Sequence, residues 1–235
     1  MIKSILNQFK PNFWLNKNLT PNEIKAVHFH YSQLGEDILL ESMIGTFKME
    51  GFYVDVGAHH PFKFSNTHLF YKKGWRGINV EANPSLFKNF ELFRPDEINL
   101  NIGVSDVKSR LKFACCGGYS GIVDEKYPFL DKCKPSDIIE IQTITLSEIL
   151  DKHLPKDTKI DFLTIDCEGH DINVLQSNNW EKYRPDFLLV EQDENSITKI
   201  HDYLRDKRYH FLCCVGVTCF YLEEKIAAER IPENR

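Results

Sequence analysis

Short apolar runs alternate with longer polar stretches along the chain, and the spacing of the apolar positions changes from one to the next. Phe52-Tyr53-Val54-Asp55-Val56-Gly57 is a β-rich run that ends in glycine, and Gly77 to Glu81 is a second. Ile98 to Val104 reads as a third strand. Ile160 to Asp166 and Asp186 to Glu191 share one form, an apolar run closing on a carboxylate. Between Gln33 and Met43 the apolar positions Leu34, Ile38, Leu39 and Met43 recur at helical spacing, and Pro84 to Phe93 reads as the helix after the second strand. Thr20-Pro21-Asn22-Glu23 has the form of a helix start, with Thr20 as cap, Pro21 in the first turn and Glu23 three positions past the cap. Tyr209 to Cys214 and Thr218 to Leu222 predict a hairpin that closes one sheet edge. Strands alternating with helices predict an α/β fold, a mostly parallel sheet with helices on both faces. The expected organisation is a helical extension over 1–45, the main domain over 46–222, and a polar segment over 223–235 that forms a solvated tail or a short helix.

Composition narrows the class. With 235 residues the chain can bury a sizeable core. The net charge of -5 disfavours a dedicated nucleic-acid binder, which carries a basic surplus. No apolar run is long enough for a membrane span, so no membrane insertion is expected. The first residues, MIKSILNQFKPNFW, lack a continuous apolar core followed by a small-residue cleavage site, so no signal peptide is expected. The cysteine count is odd and no pair has the C-x-x-C spacing. A zinc site therefore has little support, a chain of this length needs no disulfide staples, most of the thiols read as small core residues, and a reducing cytoplasm is the expected compartment.

In an open α/β sheet, ligands bind outside the carboxyl ends of the strands, so the chemistry is sought there. The first strand ends in Asp55-Val56-Gly57-Ala58, and the glycine lets backbone approach a ligand closely. The next positions are His59, His60 and Pro61, so the G-x-G-x-x-G cradle for a dinucleotide pyrophosphate is missing, which argues for a cofactor without phosphate. Glu81 ends the second strand, where a carboxylate can accept hydrogen bonds from both ribose hydroxyls. Asn101 to Asp106, NIGVSD, ends the third and places Ser105 and Asp106 to meet an adenine edge. Taken singly, each of these carboxylates is more often a solvated loop residue.

Taken together, YSQLGED (31–37), GFYVDVGAHHPFKFSNT (51–67), GWRGINVEANP (74–84), NIGVSD and IDFLTIDCEGHDINVL (160–175) resemble the FkbM-type methyltransferase family, in order and over roughly residues 30 to 195. The resemblance implies a Rossmann-like class I methyltransferase fold with a seven-stranded sheet and S-adenosylmethionine as cofactor. It places Asp55 and Gly57 near the methionine part and Glu81 on the ribose, with Ala82 in the same set. It also implies that Gln33, Ser65 and Asn66 hold the amino-acid end. A helix cap over Ser65-Asn66-Thr67 is the compatible structural alternative.

Asp166-Cys167-Glu168-Gly169-His170-Asp171 follows an apolar strand, and Glu191 ends the next. If those strands are neighbours, Asp166, Glu168 and Glu191 converge and repel one another unless protonated or shared by a cation, for which magnesium or manganese suits the oxygen donors. In catechol O-methyltransferase-type enzymes strand-end carboxylates bind such an ion, which lowers the pKa of the attacking hydroxyl. The alternative is that Glu168 caps the following helix and Asp166 bonds loop amides. His170 is the expected general base, with His59 and His60 as rivals on the same rim. The acceptor is expected to meet His59, His60 and the segment Ala114 to Pro128, with Tyr119, Ser120 and Tyr127 offering hydroxyls and three glycines giving flexibility; a mobile loop without ligand is the alternative.

FkbM-like enzymes O-methylate polyketides, sugars and glycans, and the hydroxyl-rich segment points to a sugar or nucleotide-linked sugar, in bacterial surface polysaccharide synthesis. A polyketide or other small secondary metabolite is the alternative acceptor, and a homodimer is the candidate assembly. A nicotinamide oxidoreductase is disfavoured by the missing glycine cradle. A non-catalytic binding module is disfavoured by the presence of Asp55, Gly57, Glu81 and Asp166. The acidic balance and the absence of an N-P-P-Y-like tetrapeptide disfavour a nucleic-acid methyltransferase.

Overall fold

The computed structural model describes residues 18–46, 48–123, 137–192 and 196–230, and the chain divides into two compact units, 1–30 and 31–235. In the first unit, helix α1 (Pro21–Lys25) begins with the expected capping box: the Thr20 amide donates to Glu23 Oε2 at 2.7 Å and the Glu23 amide to Thr20 Oγ1 at 3.3 Å.

The second unit opens on Tyr31 to Gly35, which wind around two buried carboxylates before helix α2 (Glu36–Ile44) begins. Asp37 accepts the Tyr31 amide and the Ser32 hydroxyl, both at 2.7 Å, and so ties the chain down ahead of the helix. Gln33 is therefore a loop residue, and the helix starts three positions later than its apolar spacing suggested.

Strand β1 (Phe52–Val56) leads to α3 (His68–Lys72), β2 (Arg76–Val80) to α4 (Pro84–Phe93) and then β3 (Ile98–Leu100). After an insertion come α5 (Leu146–His153), β8 (Phe162–Ile165), α6 (Asp171–Gln176), β9 (Phe187–Glu191) and α7 (Ile197–Asp206). The hairpin β10 (Tyr209–Val215) and β11 (Thr218–Glu223) follows, then α8 (Glu224–Arg230). The seven-stranded sheet has the order β10-β11-β9-β8-β1-β2-β3, with β3, β2, β1, β8 and β9 parallel and the hairpin antiparallel. The period-2 pleat sends alternate side chains to opposite faces. Val54, Val56, Leu163 and Val190 pack on one side against Leu150, Val174 and Ile200 of α5, α6 and α7. Tyr53, Phe162, Leu189 and Phe220 pack on the other against Leu40 of α2 and Phe70 of α3. The expected α/β fold, with helices on both faces and a closing hairpin, is present.

Three expectations are corrected. The run Ile98 to Val104 is not one strand: Asn101 Nδ2 donates to the Glu81 and Ala82 carbonyls at 2.8 and 3.1 Å, which ends the ladder after Leu100. Gly103–Val104 instead forms β4 of a second, four-stranded sheet with β5 (Arg110–Cys115), β6 (Gly121–Ile122) and β7 (Asp137–Ile144), in the order β4-β7-β5-β6. The segment read as a flexible glycine-rich loop is thus partly strand, although Tyr127 and its neighbours from 124 to 136 lie outside the described residues. The cysteines are not all core thiols. Cys214 and Cys219, paired in register across the hairpin, form a disulfide, and Cys116 is also disulfide-bonded. They depart from the expectation that a chain of this length needs no disulfide staples. Beyond the sheet, residues 224–230 are helix, with Ile226 and Ala227 packed on the core and Glu223 Oε2 accepting the Lys225 amide at 2.7 Å. No helix of the described residues is long and apolar enough to cross a membrane.

Candidate functional site

The carboxyl ends of β1, β2, β8 and β9 open on one cavity of about 780 Å³. Its floor is set by Gly57, whose φ is 80° and where a Cβ would overlap the Asp166 carbonyl oxygen. Only glycine allows the ends of β1 and β8 to approach so closely. Asp55 stands on the α2–α3 face of the sheet, 6% exposed, and its Oδ2 accepts the Thr67 hydroxyl at 2.9 Å. Burial raises its pKa to about 6, against the pull of the Thr67 hydrogen bond and the Arg94 charge.

Glu81, just past β2, accepts the Asn83 amide at 2.6 Å and the His59 amide at 2.7 Å. Burial pushes it up to about 7, with both amides holding it down. Beside it lies an apolar slot lined by Ala82, Leu86, Ile102, Val104, Phe113 and Ile141, closed over by the second sheet. The opposite end is polar, with Gln33, Glu36, Asp55 and Asn66 on the wall. Asn66 Nδ2 donates to Thr164 Oγ1 at 3.1 Å. Ser65 lines the cavity but is 2% exposed, and its Oγ accepts from Arg94 Nη2 at 3.0 Å and from the His68 amide at 3.2 Å. The capping alternative describes it better than a cofactor contact.

Ser105 and Asp106 do not line the cavity; Ile102, Gly103 and Val104 take that wall. Their side chains form a chain instead. Ser105 Oγ donates to Asp106 Oδ1 at 3.1 Å and pairs with His170 Nε2 at 3.0 Å, while Asn173 Nδ2 donates to Asp106 at 3.0 Å. With the serine proton directed to Asp106, Nε2 of His170 is the donor in its pair, so a base role for His170 falls on Nδ1.

The acidic trio converges as the sequence suggested: single carboxylate oxygens of Asp166, Glu168 and Glu191 lie within 4.8 Å of one another. Asp166 is open to the cavity yet ringed by protein, and that enclosure, with the Glu191 carboxyl beside it, pushes its pKa well up. Glu168 rises to about 8 through burial and the neighbouring Asp166 and Asp171. It sits at φ 52°, a left-handed conformation that costs a non-glycine residue roughly 1–2 kcal/mol. Asp171 holds this bend, accepting the Cys167 and Gly169 amides at 2.8 and 3.1 Å. The loop-amide role entertained for Asp166 thus belongs to Asp171, the helix that follows carries no side-chain cap bond at its N-cap His170, and Glu168 lines the cavity.

The remaining rim residues divide. His59, also left-handed at φ 53°, lines the cavity, and burial lowers its pKa. Nδ1 of His60 accepts the Phe62 and Lys63 amides at 3.3 and 3.2 Å, a local staple that leaves the ring on the cavity wall. Tyr119 is 55% exposed at the mouth. Ser120 is spent on its own turn: its Oγ accepts from Asn83 Nδ2 at 3.0 Å and the Cys116 amide at 2.9 Å, and donates to the Gly117 carbonyl at 2.7 Å. Sequence reasoning missed Thr67 as a partner of Asp55, Arg94 altogether, and the slot residues Phe113 and Ile141. The alternation of Ile139, Ile141 and Thr143 carried a strand signal; Arg94, one arginine after a helix, carried none.

A parallel sheet with a terminal antiparallel hairpin, and a cavity at its strand ends with a strand-end acid, glycine and second acid, define a Rossmann-like class I methyltransferase fold. A family model described as the methyltransferase FkbM domain matches residues 55–211, and the chain belongs to that family. No curated protein matches it. Among solved structures it is similar to the METTL16 MTase domain, at 14% identity and a TM-score of 0.47 over 80% of this chain and 65% of that one. It is also similar to a putative precorrin-6Y C5,15-methyltransferase targeted domain from Corynebacterium diphtheriae, at 9% identity and a TM-score of 0.42 over 80% and 95% of the chains. A third likeness is the N-terminal domain of human METTL16 in complex with SAH, at 12% identity and a TM-score of 0.43 over 83% and 70%. The chain spans 65% of the length of that METTL16 MTase domain chain.

Proposed function

We propose that the protein is an S-adenosylmethionine-dependent O-methyltransferase whose acceptor is a hydroxyl of a sugar or nucleotide-linked sugar, in surface polysaccharide synthesis. The observation that carries the cofactor reading is the charge of the cavity. Glu36, Asp55, Glu81, Asp166, Glu168 and Glu191 line it, and among the described lining residues Lys63 is the sole lysine or arginine. A sulfonium and an ammonium on one ligand complement that wall, whereas a pyrophosphate would be repelled. The apolar slot suits a purine, and Glu81, already fixed by two amides, has lone pairs left for ribose hydroxyls. The sugar reading is supported by the hydroxyl of Tyr119 and the exposed ring of Phe64 at the mouth.

The bound cofactor supplies a methyl group already activated by its sulfonium. What remains for the chain is alignment and proton management. The His59–Asn66 wall and the second sheet hold the acceptor oxygen in line and shed water. His170 through Nδ1, or Glu168 with its raised pKa, accepts the acceptor's proton. The trio Asp166, Glu168 and Glu191 also fits a divalent cation, manganese or magnesium, by its hard oxygen donors and close spacing. Such an ion would supply Lewis acidity toward the acceptor hydroxyl.

Calorimetric titration of S-adenosylmethionine tests the reading. Saturable binding is expected, weakened about 10- to 100-fold in Asp55→Ala and Glu81→Ala, the range for losing hydrogen bonds to a charged group. A manganese-dependent heat lost in Glu168→Ala supports the cation. Absence of binding by the unaltered chain refutes the cofactor assignment.

A further inference from the structure

Arg94 follows the last residue of α4 and is fully buried, its guanidinium set between the rings of Tyr71 and Phe90 at 5.2 and 5.6 Å. Burying an arginine is costly unless its hydrogen bonds are met, so a fully buried one reports what the fold needs held. Its Nη2 donates to the Pro61 carbonyl and to Ser65 Oγ. Its Nη1 donates to Thr67 Oγ1 at 2.9 Å, and Glu97 Oε2 lies 3.5 Å away as counter-charge. Thr67 Oγ1 in turn donates its own proton to Asp55 Oδ2 at 2.9 Å. One side chain from beyond the second strand thus ties down the segment between β1 and α3 at Pro61, Ser65 and Thr67, and reaches the first-strand carboxylate through a single hydroxyl.

The cavity gives this relay a chemical meaning. Its apolar slot and its polar end are different environments: of the Arg94 partners only Ser65 lines the cavity, and Thr67, behind the wall, hands the contact on to Asp55, which stands with Asn66 on the polar side. We propose that Arg94 is the positioning residue of the ammonium-binding end of the cavity, acting through Thr67 to aim the Asp55 carboxylate at the amino-acid part of the cofactor. This rests on the S-adenosylmethionine reading above. It makes the relay selective: it serves the amino-acid end and leaves the purine slot alone.

The selectivity is what an experiment can read. Thr67→Val keeps the shape of a fully buried residue and removes the hydroxyl, and Thr67→Ser keeps the hydroxyl. Calorimetry on the full chain compares S-adenosylhomocysteine with 5′-methylthioadenosine, which has the adenosine and sulfur but no amino-acid end. Thr67→Val is expected to bind S-adenosylhomocysteine about tenfold more weakly, with 5′-methylthioadenosine unchanged and Thr67→Ser restoring the loss. Arg94→Lys is expected to show the same selective loss. Equal weakening toward both ligands would assign the relay a purely structural role and overturn the proposal, as would unchanged binding of both. If the unaltered chain binds neither ligand, the cofactor reading fails and the inference falls with it; if it binds both and only the variants behave otherwise, the inference alone fails.

Discussion

At the scale of single residues, the site depends on backbone conformations that side chains resist. Gly57 is the sharpest case, since its positive φ and the Asp166 carbonyl against it leave no room for a methyl group. Gly57→Ala must either flip the peptide or separate the ends of β1 and β8. The expected cost is about 2–4 kcal/mol of unfolding free energy, measured by denaturant titration, with loss of S-adenosylmethionine binding. Stability within about 0.5 kcal/mol of the unaltered chain would mean that the two strand ends are not held as described. Glu168 shows the opposite arrangement, a strained residue retained because its carboxylate faces the cavity while Asp171 ties the loop. Asp55, Gly57, Glu81, Asp166 and Glu191 were legible on the cavity wall because each stands at the end of a recognisable strand, and Glu168 because it follows Asp166 by two positions. Arg94 and Thr67 were not, because Arg94 acts on Pro61, Ser65 and Thr67, 27 to 33 positions before it, and Thr67 on Asp55, 12 positions before it.

Among the elements, the hairpin of β10 and β11 does more than close the sheet. Its turn carries Val217 and Thr218 onto the cavity wall, with the Gln192 amide donating to the Val217 carbonyl at 2.9 Å and Thr218 in register with Glu191. The Cys214–Cys219 disulfide brackets that turn. Closing so short a loop contributes about 2 kcal/mol by chain entropy, because it constrains only a few residues of the unfolded chain. Replacing both cysteines by serine should lower Tm by about 4–8 °C in scanning calorimetry without reductant, the shift expected for that energy in a chain of this size. A Tm unchanged by the replacement would show that pairing alone holds the turn. The second sheet is the other element with a function beyond packing, since Phe113 of β5 and Ile141 of β7 roof the apolar slot.

Over the whole molecule, the clustered carboxylates make stability and binding respond oppositely to pH. Asp55, Glu81 and Glu168 have pKa values raised to about 6, 7 and 8. A folded state that holds protons more tightly than the unfolded chain is stabilised below the unfolded carboxylate pKa, near 4, and loses that stability as pH rises through 6 to 8. The cationic cofactor reverses the trend, because its site is most negative when those protons have left. Thermal unfolding should therefore show a lower Tm at pH 8 than at pH 6 without ligand, and a larger gain from S-adenosylmethionine at pH 8. A ligand-induced gain that is equal at both pH values would show that the carboxylates do not titrate with binding.

What the chain determined by itself is local. Period-2 apolar runs closing on Asp55, Glu81, Asp166 and Glu191 dictated strands with acids at their ends, and with the family motifs around them they specified the parallel sheet and the cofactor class. Thr20 and Glu23 capped their helix as written, since a capping box needs only residues three apart. The fold decided what depends on distant partners. It broke the third strand at Asn101 because that side chain found two carbonyls of the neighbouring segment. It turned Ser65 and Ser105 inward and engaged the Ser120 hydroxyl within its own turn, each hydroxyl satisfying nearby groups rather than facing a ligand. It also gathered Arg94, Thr67 and Asp55 into one relay. Burial penalises every unmet polar group, and which partner meets each one is settled only when segments far apart in sequence pack together.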